Sequence, residues 1–209
     1  HNNTTYYTMK RIHLAIAGLS LAANLFASAA TYDFKDPSGV SNLKFDMTAP
    51  VESISGTADG IAGSINFDPA EAAATRGTIT VATGSIMVPK SKMREHIMSK
   101  MWMDTEKFPE MKFELAEIAD VKSAGEGVFK GHAKGVVTVK GISQELNAEV
   151  TIKHLAGKLG AKLPGKKGDL LVVSGNFIVK RDAFNINAGQ KLDKVANDMH
   201  VGLNLIGYS

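Results

Sequence analysis

The chain is 209 residues long, with no cysteine, 24 basic and 21 acidic side chains, and a formal net charge of +3. Disulfides, thiol chemistry and thiolate-held zinc are thereby excluded. Charge is nearly balanced and no cluster of Lys and Arg interleaves with aromatic residues, which excludes a surface built to follow a phosphate backbone.

Residues 1–8 precede Met9 and read as lying upstream of the true start. From Met9 to Ala30 the pattern is that of a cleavable secretory signal: the basic pair Lys10 and Arg11, an apolar run from Leu14 to Phe26, then small residues at Ala27, Ser28, Ala29 and Ala30. A membrane anchor is the weaker reading, because the run is shorter than the roughly 20 residues a bilayer requires. It also contains Gly18, Ser20 and Asn24. The mature chain is expected to begin at Ala30 or Thr31, keeping 22 of the 24 basic residues against 21 acidic ones. Residues 31–209 suffice for one domain with a single sizeable core.

The mature part alternates with period two. Leu43, Phe45 and Met47 alternate with Asn42, Lys44 and Asp46, and Ile61, Ile65 and Phe67 with Ser64 and Asn66. Ile79, Val81 and Thr83 follow, and each run predicts a strand with one wet face. Between Pro89 and Trp102 the period changes: Met93, Ile97 and Met101 fall at helical spacing beside Met98, predicting a short amphipathic helix with Ser91 as its N-cap. Its methionine-rich stripe suits an irregular or flexible apolar partner, although ordinary core packing is the plainer reading.

Alternation resumes at Met111, Phe113 and Leu115. Phe129, Ala133, Val137 and Val139 share one face, and His132 falls on the wet one. After a break at Gly141, Leu146, Ala148, Val150 and Ile152 do the same, which predicts a long hairpin. The basic stretch Lys162 to Lys167 reads as a solvated turn. Strands at Leu170 to Lys180 and Met199 to Ile206 bring the expected count to eight or nine. Short connections make the sheet antiparallel, and so many strands leave costly edges unless it closes on itself or folds into a sandwich. A barrel of about eight strands either fills with side chains or holds one ligand. Gly131 and Gly135 fall on the inward register, where they either remove bulk or relieve strand curvature.

Three passages then resemble a known family. They are Arg94-Glu95-His96-Ile97-Met98-Ser99, the run Met103-Asp104-Thr105-Glu106-Lys107-Phe108-Pro109-Glu110-Met111-Lys112-Phe113, and Lys180-Arg181-Asp182-Ala183-Phe184-Asn185-Ile186. With the Gly60 to Asp68 strand and the Gly135 to Val150 hairpin, they are similar in order and spacing to the YceI-like family of secreted polyisoprenoid-binding proteins. The resemblance covers essentially the mature chain. It implies an all-β, lipocalin-like extended antiparallel barrel of about eight strands, with a short amphipathic helix near its opening. It further implies a periplasmic carrier holding a long isoprenoid, such as a polyprenyl lipid or quinone, without covalent chemistry. Two departures are Val51 to Thr57, which lacks aromatic residues, and Leu155 to Gly168, a glycine- and lysine-rich insertion expected to alter only a loop.

For such a carrier the large apolar residues on the inward register or at the helix stripe give the expected lining, Phe45, Ile65, Phe67, Ile97, Met101, Trp102, Phe108, Phe113, Phe129 and Phe177, with core packing the alternative for each. Expected head-group contacts are Arg94, His96, Arg181 and Asn185, with Asp182 and Asn187 nearby; a surface ion pair between Arg181 and Asp182 is the competing reading. His96, His132, His154 and His200 show no metal-ligand spacing, and no nucleophile elbow, HExxH or phosphate loop is present. No catalytic residue, metal or cofactor is therefore expected, the isoprenoid being cargo. The expected partner is that amphiphile, with no nucleic acid, no stable membrane insertion after signal cleavage, and a monomer or homodimer. A secreted adhesion or assembly module with a filled barrel is the alternative class, and an enzyme acting on a bound lipid a third.

Overall fold

A computed structural model describes residues 29–209. The signal reading of Met9 to Ala30 lies almost wholly outside the described residues, as does the segment before it. Ten strands form: β1 (Ala30–Asp33), β2 (Asn42–Thr48), β3 (Ser53–Ala58), β4 (Ile61–Phe67), β5 (Arg76–Ala82), β6 (Glu110–Gly125), β7 (Val128–Val139), β8 (Ile142–Leu155), β9 (Leu170–Lys180) and β10 (Asp198–Tyr208). One helix, α1 (Ser91–Met98), sits between β5 and β6. Every strand pairing is antiparallel. The order β1-β4-β5-β6-β7-β8-β9-β10 closes into an eight-stranded barrel through Asp33 opposite Tyr208. The hairpin β2–β3 also hangs on β10, with Phe45 opposite Val201. The eight or nine expected strands become ten because β1 has four residues, too few to alternate, and β3 carries mostly small side chains.

Closure follows from the alternation. Ala133, Val139, Ala148, Val150 and Ile152 are buried, whereas Lys130, Lys134, Asn147 and Glu149 are exposed. The interior is thus apolar and the exterior charged, the reverse of a barrel that faces lipid. Lys140 and Gly141 join β7 to β8 with φ of +52° and +75°, the twist that suits a two-residue hairpin turn.

The long strand β6 wraps around the barrel through bulges, the first between Leu115 and Glu117. Arg76 Nη1 donates to the carbonyl of Ala116, inside that bulge, at 2.7 Å. Gly131 and Gly135 both lie opposite β6. A Cβ on Gly131 would stand 2.7 Å from the Ala119 carbonyl oxygen, and one on Gly135 would collide with that of Glu114. These glycines therefore admit the close approach of β6, and they do not hollow out the interior.

Helix α1 is shorter than the periodicity implied. Lys90 holds the N-cap position without a side-chain cap, and Ser91 is already the first helical residue, which corrects its expected capping role. Ser99 leaves the helix with extended backbone, so Met101 no longer belongs to the stripe of Ile97. Arg94 ties α1 back to the preceding turn, Nε donating to Ile86 O at 3.0 Å and Nη2 to Gly84 O at 2.8 Å.

Two features brace the end opposite α1. Asp36 accepts the N–H groups of Ser38, Val40 and Ser41 and the hydroxyl of Tyr208. Burial alone would raise its carboxyl, but these donors outweigh burial and hold it well below the usual carboxylate range. The insertion after β8 does more than lengthen a loop, because Leu159 is buried against Leu170, Ile206 and Tyr208 and covers apolar residues there.

Candidate ligand-binding site

Inward residues of β2 to β10, together with α1 and residues 99–103 and 181–186, enclose a cavity of about 220 Å³. Its walls present no polar surface, although Thr75, Lys112 and Arg181 contribute to them. Such a space excludes ordered water, which needs two to four polar partners, and favours an apolar occupant of matching girth.

The cover over this cavity is organised by one cation. Arg181 is 3 % exposed, and its five N–H groups meet five backbone carbonyls. Nε donates to Ala196, Nη1 to Ile186 and Asn187, and Nη2 to Gln190 and Val195. Those acceptors all belong to the segment between β9 and β10, which Arg181 folds into a compact cover. Asn187 N–H also donates to Met101 O at 2.9 Å, and Lys140 Nζ to Asn185 O at 3.0 Å, stitching that cover to the α1 segment and to the β7–β8 turn. The guanidinium faces the Trp102 ring at 5.3 Å. Burial lowers the Arg181 pKa, with the Asp182 charge acting the other way.

The model of the YceI-like domain matches residues 32–206. The chain belongs to the YceI-like family. A UPF0312 protein of Shewanella baltica is 25 % identical over 191 residues, covering 89 % of this chain and 96 % of that protein. A second relative, from Photorhabdus laumondii, is 33 % identical over 97 residues, covering 46 % of this chain and 47 % of that protein. Among solved structures, BcnA of Burkholderia cenocepacia superposes with a TM-score of 0.63 at 20 % identity, covering 79 % of this chain and 95 % of BcnA. A polyisoprenoid binding domain from Saccharophagus degradans gives 0.61 at 10 % identity, covering 87 % of this chain and 99 % of that domain. These likenesses establish the extended YceI barrel as the fold.

Within this YceI-like barrel, six of the ten residues expected at the lining reach the cavity: Phe45, Ile65, Ile97, Trp102, Phe113 and Phe177. Four do not. Met101 is 67 % exposed, because the chain has left the helix before reaching it. Phe108 packs on the β7–β8 turn, close enough that a Cβ on Gly141 would lie 2.9 Å from its ring. Phe67 and Phe129 have the inward register but sit below the cavity, 5.6 Å apart in an edge-on pair.

The expected head-group residues are scattered. Arg181 has no N–H left to offer, and its guanidinium turns inward while Asp182 is exposed, so the anticipated surface ion pair is not formed. Arg94 is committed to two carbonyls, and His96 is exposed on α1. Asn185 is exposed in the left-handed conformation after a short turn of helix, whereas Asn187 is buried. Sequence reasoning passed over Ile186, which lines the cavity from an irregular segment with no periodicity, and over Val81, Leu115 and Val137, which the alternation had already placed inward.

The histidines serve other purposes. His154 lies beneath the cavity with Nε2 3.0 Å from Asp169, whose other oxygen accepts Gly157 N–H at 2.7 Å. Burial would raise the Asp169 carboxyl, yet the Gly157 and His154 contacts outweigh it and lower its pKa. Half-buried His132 places Nδ1 3.5 Å from Asp120, too long and poorly aligned for a hydrogen bond. Among the described residues no group of three or more His, Cys, Asp or Glu is arranged to hold a metal, and no helix is long and apolar enough to cross a membrane.

Proposed function

We propose that this protein binds the apolar tail of a long-chain isoprenoid or a comparable amphiphile inside its barrel and keeps that tail from water. The observation that carries the reading is the unbroken apolar wall, with Trp102 and Phe113 at the cavity surface and no polar atom facing it. Enclosing one five-carbon isoprene unit is worth roughly 3–4 kcal/mol at about 0.8 kcal/mol per methylene. Several units thus offset association and ordering costs of about 10 kcal/mol. No donor in the wall supplies specificity for a head group, so the tail is the recognised part. The name of the Saccharophagus degradans domain supports the same ligand class. The signal-like leader supports export, and membership of the YceI-like family supports a periplasmic place of work, where such a carrier would move or buffer lipids such as quinones.

Trp102, the only tryptophan of the chain, lines the cavity and supplies the test. Titration of the purified protein with a prenyl alcohol is expected to change Trp102 emission saturably, with no equivalent change from a short polar alcohol. Emission that stays constant while the prenyl alcohol remains free in solution would overturn the reading.

A further inference from the structure

The two ends of the barrel are made of different materials. Every methionine of the described residues lies toward the covered end, on α1 and its flanking segments or on the adjoining ends of β2, β6 and β10. At the opposite end four rings meet: Tyr32 of β1, Phe67 of β4, Phe129 of β7 and His154 of β8. Phe67 stands at their centre, with its ring 5.6 Å from Phe129, 5.9 Å from His154 and 6.4 Å from Tyr32. Tyr32 and His154 close the remaining side at 6.3 Å.

The cavity ends against this layer. Ile65, two residues before Phe67, lines it, and so does Ile152, which pairs with Phe129 across β7 and β8. Leu171, the partner of His154 across β8 and β9, also lines it, whereas none of the four rings does. The layer is braced from below, since Asp169 holds His154 and is itself fixed by Gly157 N–H. Tyr32 and Phe67 are each 1 % exposed. Packed rings, three of their four contacts edge-on and the Phe67–His154 contact tilted, lack the torsional freedom by which methionine accommodates a guest.

We infer that this ring layer, with Phe67 at its centre, is the stop that fixes the longest apolar tail the barrel accepts. The inference rests on the lipid-binding reading above and adds a length limit to it. A tail entering from the methionine-rich end gains burial with each isoprene unit until it meets the rings. Any further unit stays at the cover, in water, and gains nothing.

The test is a series of linear prenyl alcohols of increasing length, with affinity read from Trp102 emission for the wild type and three variants. Wild-type affinity is expected to rise with length and then level off. Phe67→Ala and the gentler Phe67→Leu each open the floor, moving the plateau toward longer alcohols by about one unit and tightening the first alcohol beyond it about tenfold. Ile65→Phe adds bulk just above the rings and moves the plateau to shorter alcohols. Thermal unfolding of each variant shows which remain folded, and Phe67→Leu and Ile65→Phe keep the test decisive if Phe67→Ala does not fold. An unchanged plateau in folded variants, or a wild-type affinity that keeps rising with length, overturns the ring layer as the stop while leaving lipid binding intact. No binding at any length overturns both.

Discussion

The Arg181 guanidinium lies 5.3 Å from the centre of the Trp102 ring, with a carbonyl acceptor for each of its five N–H groups. A charged group thus forms part of an apolar roof, because its polar edge is spent on the cover and only its face is turned toward tryptophan. Replacing Arg181 with Met would keep the packing volume and strand the carbonyls of Ile186, Asn187 and Val195, which are buried, while those of Ala196 and Gln190 can turn to water. The expected loss is about 3 kcal/mol or more, since each stranded acceptor costs about 1–3 kcal/mol before water enters. Denaturant unfolding of Arg181→Met reads this directly, and a loss below about 1 kcal/mol would show that the cover does not depend on Arg181. Arg181→Lys is expected to recover only part of it, since an ammonium has three donors in place of five.

Phe113 and Met101 separate lining from surface. Phe113→Ala removes a ring from the cavity wall and is expected to weaken prenyl alcohol binding at least tenfold, with a stability loss of about 2–4 kcal/mol because the residue is only partly enclosed. Met101→Ala changes an exposed side chain and is expected to move stability by less than about 0.5 kcal/mol and affinity by less than twofold. Isothermal titration of both variants with one alcohol checks the pair. Equal affinities would place the ligand elsewhere.

Asp36 predicts an acid-sensitive seam between β1, β2 and the end of β10. Its carboxyl pKa is depressed in the folded chain, so its stabilisation is full above the unfolded value of about 4 and is lost as pH falls through the lower folded value. Asp36→Asn would turn an NH₂ group toward the N–H donors of Val40 and Ser41. At pH 7 the variant is expected to be about 1–2 kcal/mol less stable, allowing for the partial exposure of this loop. That difference should narrow steadily as pH falls from about 4 toward 2. A gap that stays constant over this range would remove the ionised carboxylate from the account.

The strand β9 is legible in the sequence to the residue, and the hairpin β7–β8 in its turn and its buried face although β8 begins four residues before Leu146, because long alternation leaves one register that buries the apolar face. Alternation reports face but not depth, and for that reason Phe67 and Phe129 could be assigned inward yet not below the cavity floor. Met101 was misplaced by carrying helical spacing past Ser99, where the helix has ended without a proline or glycine to mark it. The burial of Arg181 left no trace in composition. Its acceptors are backbone carbonyls of residues 186–196, and an arginine beside an aspartate looks the same whether the carbonyls converge on it or not. The short strands β1 and β3 show no period, because β1 has only four residues and β3 carries mostly small side chains.

The central claim is that an apolar tail occupies the barrel, and the most direct measurement is mass spectrometry of what the purified native protein releases into organic solvent. The account predicts a single class of long-chain isoprenoid lipid at close to one molecule per chain. A clean extract from folded protein, together with no uptake of added prenyl lipid, would contradict it and leave the cavity as packing space in a structural module.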